Sequence, residues 1–409
     1  MDRIRELTEA EAERFADRTP GSRELAERAR RTLAGGVTSS LHARDPYPIH
    51  LARGESSRVW DVDGNEYVDF HNGYSAMVQG HAHPAIAAAV RERVGLGTHF
   101  GATTEDAVAV AEELSRRFGL PSWRFTNSGT ESNMAAIRIA RAASGRDAIV
   151  RMKRSYHGHA EFDHVHEVAF NDTAELERCL ADVSPACVLM EAAMTSAGLI
   201  PPEPGYLQSV RELTRRNGAL LIFDEVKTGL TIAAGGAVER FGVQPDLLTL
   251  AKSLGGGLPS GAVGMAPGPA GLVAGGQVRQ AGTYNGNPLS MAAARASLLQ
   301  VLTAAAYDEL ERLGERMFAG CERVLEAAGI DAVPVGVGSK GCVHWGADPM
   351  LGELIWLWLA NRGVYTTPGR EQEWNVTVAH DDEAVDRYLD VFSGLAAELT
   401  PRLSGSARA

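Results

Sequence analysis

Asp246-Leu247-Leu248-Thr249-Leu250-Ala251-Lys252-Ser253-Leu254-Gly255-Gly256-Gly257-Leu258-Pro259 is an apolar run that ends on a lysine and opens into a glycine loop. A short continuous apolar run bounded by turn residues reads as a strand buried on both faces. The chain holds 40 Lys plus Arg, and only Lys153, Lys227, Lys252 and Lys340 are lysines. A surface cation in so Arg-biased a chain would be expected to be arginine. An amine at the end of a buried strand points instead to a need for a group that can lose its proton, which a guanidinium cannot. Lys252 is therefore a candidate Schiff-base nucleophile.

Outward from this run, helical patterns alternate with short apolar runs from about residue 105 to 300. The other runs are Trp123-Arg124-Phe125, Ala148-Ile149-Val150, Cys187-Val188-Leu189-Met190 and Leu220-Leu221-Ile222-Phe223. Continuous apolar strands separated by helices predict an α/β fold with a mostly parallel sheet covered on both faces. Ligands in such sheets sit beyond the carboxyl ends of the strands. Before this region lies a charged helical lead. A hairpin follows it, Arg58-Val59-Trp60-Asp61 and Glu66-Tyr67-Val68-Asp69-Phe70 around Asp63-Gly64-Asn65. After about residue 305 a long helix, a strand-like Cys342-Val343-His344-Trp345 and a last helix predict a smaller α+β domain. The expected division is 1–70 and 306–409 as the two segments of the small domain, with 71–305 as the large one.

Composition excludes several classes. With 409 residues, 44% apolar and a formal charge of −12, the chain can bury a large core and lacks the positive surface that nucleic acid or anionic membrane requires. Leu354-Ile355-Trp356-Leu357-Trp358-Leu359-Ala360 is far short of a membrane span and reads as a buried helix. The N-terminus is charged and has no apolar signal core. Four scattered cysteines form no Cys-x-x-Cys pair, and Cys321 falls on an apolar helix face, so a reducing cytoplasm is expected.

Three strand ends carry chemistry. Asn127-Ser128-Gly129-Thr130-Glu131 opens an Ala-rich helix. Ser128 and Glu131 fit a capping box, and the same free N–H groups and hydroxyls make a cup for a phosphate. Asp224-Glu225 after Leu220–Phe223 is a carboxylate pair that needs a partner, either a buried ion pair or a protonated ring nitrogen. The third is Lys252. A phosphate cup, an anion for a cationic ring and an amine together fit pyridoxal 5'-phosphate.

These motifs resemble the class III, fold-type I pyridoxal-phosphate aminotransferases, in the branch of glutamate-1-semialdehyde aminomutase and the β-amino-acid aminotransferases. The carriers are Asp61-Val62-Asp63-Gly64-Asn65-Glu66-Tyr67, Gly80-His81-Ala82-His83-Pro84, Asn127–Glu131, Tyr156-His157-Gly158, Asp224-Glu225-Val226, Lys252 with its loop, and Gly282-Thr283-Tyr284-Asn285-Gly286-Asn287-Pro288. The resemblance implies that Lys252 bonds the cofactor and shuttles a proton, and that Asp224 pairs with the pyridinium nitrogen. It further implies Val226 and Tyr156 on the two ring faces, with His157 in the same motif. Ser128, Gly129 and Thr130 would hold the phosphate, and Thr283 would reach that of a neighbouring subunit in a homodimer.

Counting from the flanking motifs, the substrate set departs from the aminomutases. His42 stands where a carboxylate-binding arginine is expected, with Arg44 two residues on. Tyr74 stands for a tryptophan, Ser196 for an asparagine near the cofactor's phenolic oxygen, and Gln372 for a glutamate near the substrate amine. With the cofactor set kept and the substrate set changed, the expected reaction is ping-pong amino transfer between a small amino compound and a keto or aldehyde acceptor. The alternatives are intramolecular transfer of the aminomutase kind, or a racemase or epimerase. A remote alternative is a metal-dependent hydrolase using His157, His159, His164 and His166 with Asp163; the expected site holds no metal.

Overall fold

A computed structural model describes residues 2–345, 350–369 and 372–403. Its strands, in chain order, are β1 Leu51–Glu55, β2 Arg58–Asp61, β3 Glu66–Asp69, β4 Ser122–Thr126, β5 Ile149–Met152, β6 Val165–Val168 and β7 Cys187–Met190. They continue as β8 Leu220–Asp224, β9 Leu247–Leu250, β10 Gly261–Met265, β11 Val333–Val337, β12 Lys340–His344, β13 Val364–Tyr365 and β14 Trp374–Asn375. Seven of them form the large sheet in the order β4-β10-β9-β8-β7-β5-β6. From β9 to β6 every pairing is parallel, and β10 runs antiparallel to both β4 and β9. The α/β class and the mostly parallel sheet match the expectation.

Every residue of β7 and β9 is buried, as strands covered on both faces should be. Each such Leu, Ile or Val side chain contributes about 1.5–3 kcal/mol on leaving water. Two strands escaped the sequence pattern. β6 carries His166 and Glu167 on an exposed edge, so it shows no apolar run. β10 is Gly-Ala-Val-Gly-Met, too small to look like a strand. Its glycines are required because a Cβ on Gly264 would press 2.7 Å from the Trp123 ring.

The hairpin is present as β2 and β3 around Asp63-Gly64-Asn65, with Asp61 accepting from the Asp63 and Asn65 N–H groups. β13 pairs parallel with β3, Val364 opposite Val68, so residues from both ends of the chain share one sheet, β1-β2-β3-β13. The run Leu354–Ala360 lies in the helix Leu351–Asn361, which is buried all round. Cys321 is core. Among the described residues, no single helix is long and apolar enough to cross a membrane.

Candidate active site

β8 and β9 lie side by side with Asp224 opposite Thr249, so their carboxyl ends deliver Asp224 and Lys252 to the same edge. Lys252 opens a 3-10 turn, Lys252–Gly255, and its own backbone is left-handed at φ 45°. A non-glycine residue held there is strained by about 1–3 kcal/mol and persists only where its surroundings over-determine it. A cavity of about 690 Å³ opens at this edge. Its walls include Leu41, His42, Ser128, Gly129, Thr130, Asn133, Tyr156, His157, Glu191, Ser196, Asp224, Val226, Lys227 and Lys252.

Asp224 is almost completely buried. Its Oδ2 accepts from His157 Nδ1 at 2.7 Å and from Asn133 Nδ2 at 2.7 Å, and its Oδ1 accepts from the Val226 N–H at 2.9 Å. Burial by itself would raise this carboxyl. The His157 hydrogen bond and charge, with the Val226 and Asn133 bonds, outweigh it and hold the group below the ordinary aspartate value. Asp224 is thus a preorganised anion. Glu225, its neighbour, is pushed up to about 7 by burial against the bonds it accepts from Ala237, Thr228 and Val238. The two adjacent carboxylates therefore hold opposite protonation tendencies.

The phosphate cup is the start of the helix Gly129–Ser144. Ser128 Oγ caps it by accepting from the Glu131 N–H at 3.2 Å, while Glu131 Oε2 accepts from the Asn127 N–H at 2.9 Å. The cap uses an acceptor site of Ser128 and leaves its hydroxyl proton free. The capping and anion-binding readings are therefore compatible. Thr130 Oγ1 lies 3.3 Å from His159 Nδ1. Gly158, at φ 99°, passes so near Thr130 that an added Cβ would overlap its side chain and Cα. That close approach brings Tyr156 and His157 beside the cup. Tyr156 stands half-exposed in the cavity wall, and Val226 packs against Gly129.

Three of the chain's four lysines meet at this site, where the sequence singled out one. Lys252 is pushed down to about 8, first by burial and then by the Lys227 charge, with Asp224, Glu191 and Glu373 opposing. Lys227 Nζ donates to the Thr195 carbonyl at 2.8 Å and to both Glu373 oxygens at 2.8 and 2.6 Å. Lys340 is buried on Ser75 Oγ at 2.5 Å and Asn375 Oδ1 at 2.6 Å, and burial holds its amine well below the ordinary value. Asn133, Glu191, Lys227, Glu373 and Lys340 were not anticipated. For Lys227 and Lys340 the scarcity of lysine was a usable signal; for Asn133, inside a helix, the sequence carried none.

The expected substrate residues divide. His42 lines the cavity, with its Nδ1 2.9 Å from Thr38 Oγ1. Arg44 and Tyr74 stand behind that wall: Arg44 Nη2 donates to the Tyr74 hydroxyl at 2.7 Å, and that hydroxyl donates to the Leu41 carbonyl at 2.6 Å. Ser196 lines the cavity, yet its one hydroxyl proton goes to Glu191 at 2.6 Å rather than toward a ring. Gln372 requires a correction. It is buried away from the cavity, donating to the Gly352 carbonyl at 3.1 Å, and the carboxylate that faces Lys227 and Lys252 is its neighbour Glu373. Successive extended residues point to opposite sides, so an offset of one position in counting exchanges the side chain on Gly352 for the one on Lys227.

Thr283 is exposed and lines a different cavity of about 850 Å³, together with His99, Phe100, Trp123, Phe125 and Asn285. It does not reach the Lys252 cavity of its own chain. The four histidines do not converge: His157 binds Asp224, His159 adjoins Thr130, and His164 and His166 are exposed. No group of three or more His, Cys, Asp or Glu side chains able to hold a metal is found among the described residues.

The residues present fit a phosphorylated pyridine aldehyde. The helix start offers N–H and hydroxyl donors to a phosphate, the buried Asp224 offers a fixed anion to a ring cation, and Lys252 offers a weakly basic amine. The model of the aminotransferase class-III family matches residues 40–164 and 163–369. A glutamate-1-semialdehyde 2,1-aminomutase of Sorangium cellulosum is 38% identical, over 91% of this chain and 95% of its own. The crystal structure of a glutamate-1-semialdehyde aminomutase from Pseudomonas aeruginosa PAO1 in complex with PMP superposes with a TM-score of 0.91 at 30% identity, covering 97% of this chain and 99% of that one. That of a β-phenylalanine aminotransferase from Variovorax paradoxus superposes at 0.93 with 29% identity, covering 98% and 99%.

Proposed function

This chain belongs to the class-III aminotransferases, a family of pyridoxal-phosphate enzymes, and from that premise we propose that it moves an amino group from a small amino compound to a keto or aldehyde acceptor in two half-reactions. The observation that carries the reading is the departure around His42: the cofactor set is complete, while an imidazole and an Arg44–Tyr74 pair stand where the aminomutase pattern has a carboxylate-binding arginine. An imidazole does not replace a bidentate guanidinium–carboxylate contact at equal strength.

Bound pyridoxal phosphate supplies an electron sink for the carbon next to the substrate nitrogen. The chain's own residues do the rest. Lys252, whose amine burial pushes down to about 8, would hold the cofactor's aldehyde and, when free, would move a proton at the substrate carbon. Asp224 would accept a hydrogen bond from a protonated ring nitrogen, and His157, Asn133 and the Val226 N–H keep its carboxylate charged and aimed. Ser128, Gly129 and Thr130 would hold the phosphate, and Val226 and Tyr156 would flank the ring. Thr283 serves the neighbouring site of a homodimer. The domain limits near residues 70 and 305 and a cytoplasmic location belong to the same reading; the four scattered cysteines support the latter.

A second reading has its own support. The relatives named above include glutamate-1-semialdehyde aminomutases, which favours intramolecular transfer. Titrating the aminated form of the cofactor-loaded enzyme with a panel of keto acids separates the two. Net amine formation without turnover of a second substrate supports amino transfer. Exclusive rearrangement of a single substrate, with no free carbonyl product, overturns it.

A further inference from the structure

Lys227 follows Asp224 by three residues and reaches the cavity from the end of β8, beside Lys252 at the end of β9. An ammonium has three N–H donors. Here all three meet fixed acceptors: the Thr195 carbonyl beyond β7 and the two oxygens of Glu373 just before β14. The pair is largely shielded, with the two side chains 15% and 13% exposed. Screening by solvent is correspondingly weak, and the orientation of each charge matters.

The groups facing Lys252 come from every surrounding segment. Asp224 and Lys227 come from β8 and its end, Glu191 from the end of β7 and Glu373 from the C-terminal segment. Lys340, on β12, is coupled to the same cluster. Asp224 is occupied by His157 and Asn133, and Glu191 by Thr195 and Ser196. Glu373 is the carboxylate whose hold on the cluster depends on one long flexible side chain. Without Lys227, the Glu373 charge, which favours the ammonium form of Lys252, would be left uncompensated.

We infer that Lys227 is a positioning residue: clamped between Thr195 and Glu373, it fixes and compensates the Glu373 carboxylate and so keeps the Lys252 amine free to react. The inference rests on Lys252 being the reactive amine of the proposed function. Lys227 acts on Lys252 in two ways, directly through its own charge and through the Glu373 carboxylate that it holds.

The chain's four lysines make the test direct. Competitive acylation of the full-length, cofactor-free protein across pH, read by mass spectrometry, follows each amine separately, and exposed Lys153 serves as internal control. Lys227→Met should move the Lys252 labelling midpoint up by about one pH unit or more, Glu373→Gln should move it down, and the double variant should return it toward the starting value. Lys227→Arg, which keeps the charge, should stay near the starting value. In the cofactor-loaded enzyme, the pH midpoint of the visible absorbance should shift in the same directions. Unchanged midpoints in both single variants, or shifts of the same sign in both, overturn the inference. If Lys252 of the unaltered protein labels no more readily than Lys153, the proposed function fails instead, so the two failures are distinguishable.

Discussion

His157 Nδ1 lies 2.7 Å from Asp224 Oδ2 with both side chains shielded from solvent, and since the carboxylate can only accept, the imidazole donates from Nδ1. This bond fixes the tautomer of His157 and leaves Asp224 charged inside the protein. The anion at the end of β8 is therefore set before any ligand arrives.

Asp224→Asn removes the charge and keeps the shape. A hydrogen bond to a charged group contributes about 1.5–3 kcal/mol against about 0.5–1.5 for a neutral one, so proton transfer at the substrate carbon should slow by about 10-fold or more. Cofactor should still bind through the helix start. Stopped-flow half-reactions and the substrate deuterium isotope effect check this; an unchanged rate would show that another group protonates the ring.

Gln372→Glu should not introduce semialdehyde turnover. Its amide donates to the Gly352 carbonyl in a buried site. A carboxylate there loses the donor and buries a charge, which should cost about 3 kcal/mol and lower Tm. Calorimetry reads the loss of stability, and a semialdehyde assay reads the absence of new activity.

Thr283→Ala should weaken cofactor retention only in the dimer, since Thr283 lies outside its own chain's Lys252 cavity. Ultrafiltration of the cofactor at several protein concentrations measures this. Equal retention in variant and parent, with both dimeric, would remove Thr283 from the neighbouring site.

Acid should destabilise the fold before the carboxylates titrate. Burial holds His71 and His380 near about 4, below their unfolded value of about 6.5. Between these values the unfolded chain binds more protons. Their contribution is therefore complete above about pH 6.5 and is lost as pH falls toward 4, by up to about 3 kcal/mol each. Urea midpoints at pH 7.5 and pH 5 should differ accordingly, and His380→Gln should flatten that dependence.

Much of the architecture was written locally. Cys187–Met190 and Leu247–Leu250 are strands with the limits their apolar runs gave, because a strand buried on both faces is apolar nearly throughout; the exception, Thr249, donates to Asn133 Oδ1. β10 was illegible because its glycines answer to Trp123, a contact 141 residues away in the chain. At the site, Ser128 and Glu131 announced their cap by spacing alone. Asn133 gave no sign, since a helix interior does not reveal that its side chain meets β8.

The sequence by itself determined which chemical groups the protein owns and where the strands end: an amine at Lys252, a carboxylate at Asp224 and donors at Ser128–Thr130. Covalent identity and hydrophobic period are local properties. The tertiary structure decided the state of those groups. It buried Lys252 among Lys227, Lys340, Glu191 and Glu373, and it paired Glu373 rather than Gln372 with Lys227. Protonation and facing depend on burial and on charges brought together from β7, β8, β9, β12 and the C-terminal segment, and that assembly exists only once the chain has folded.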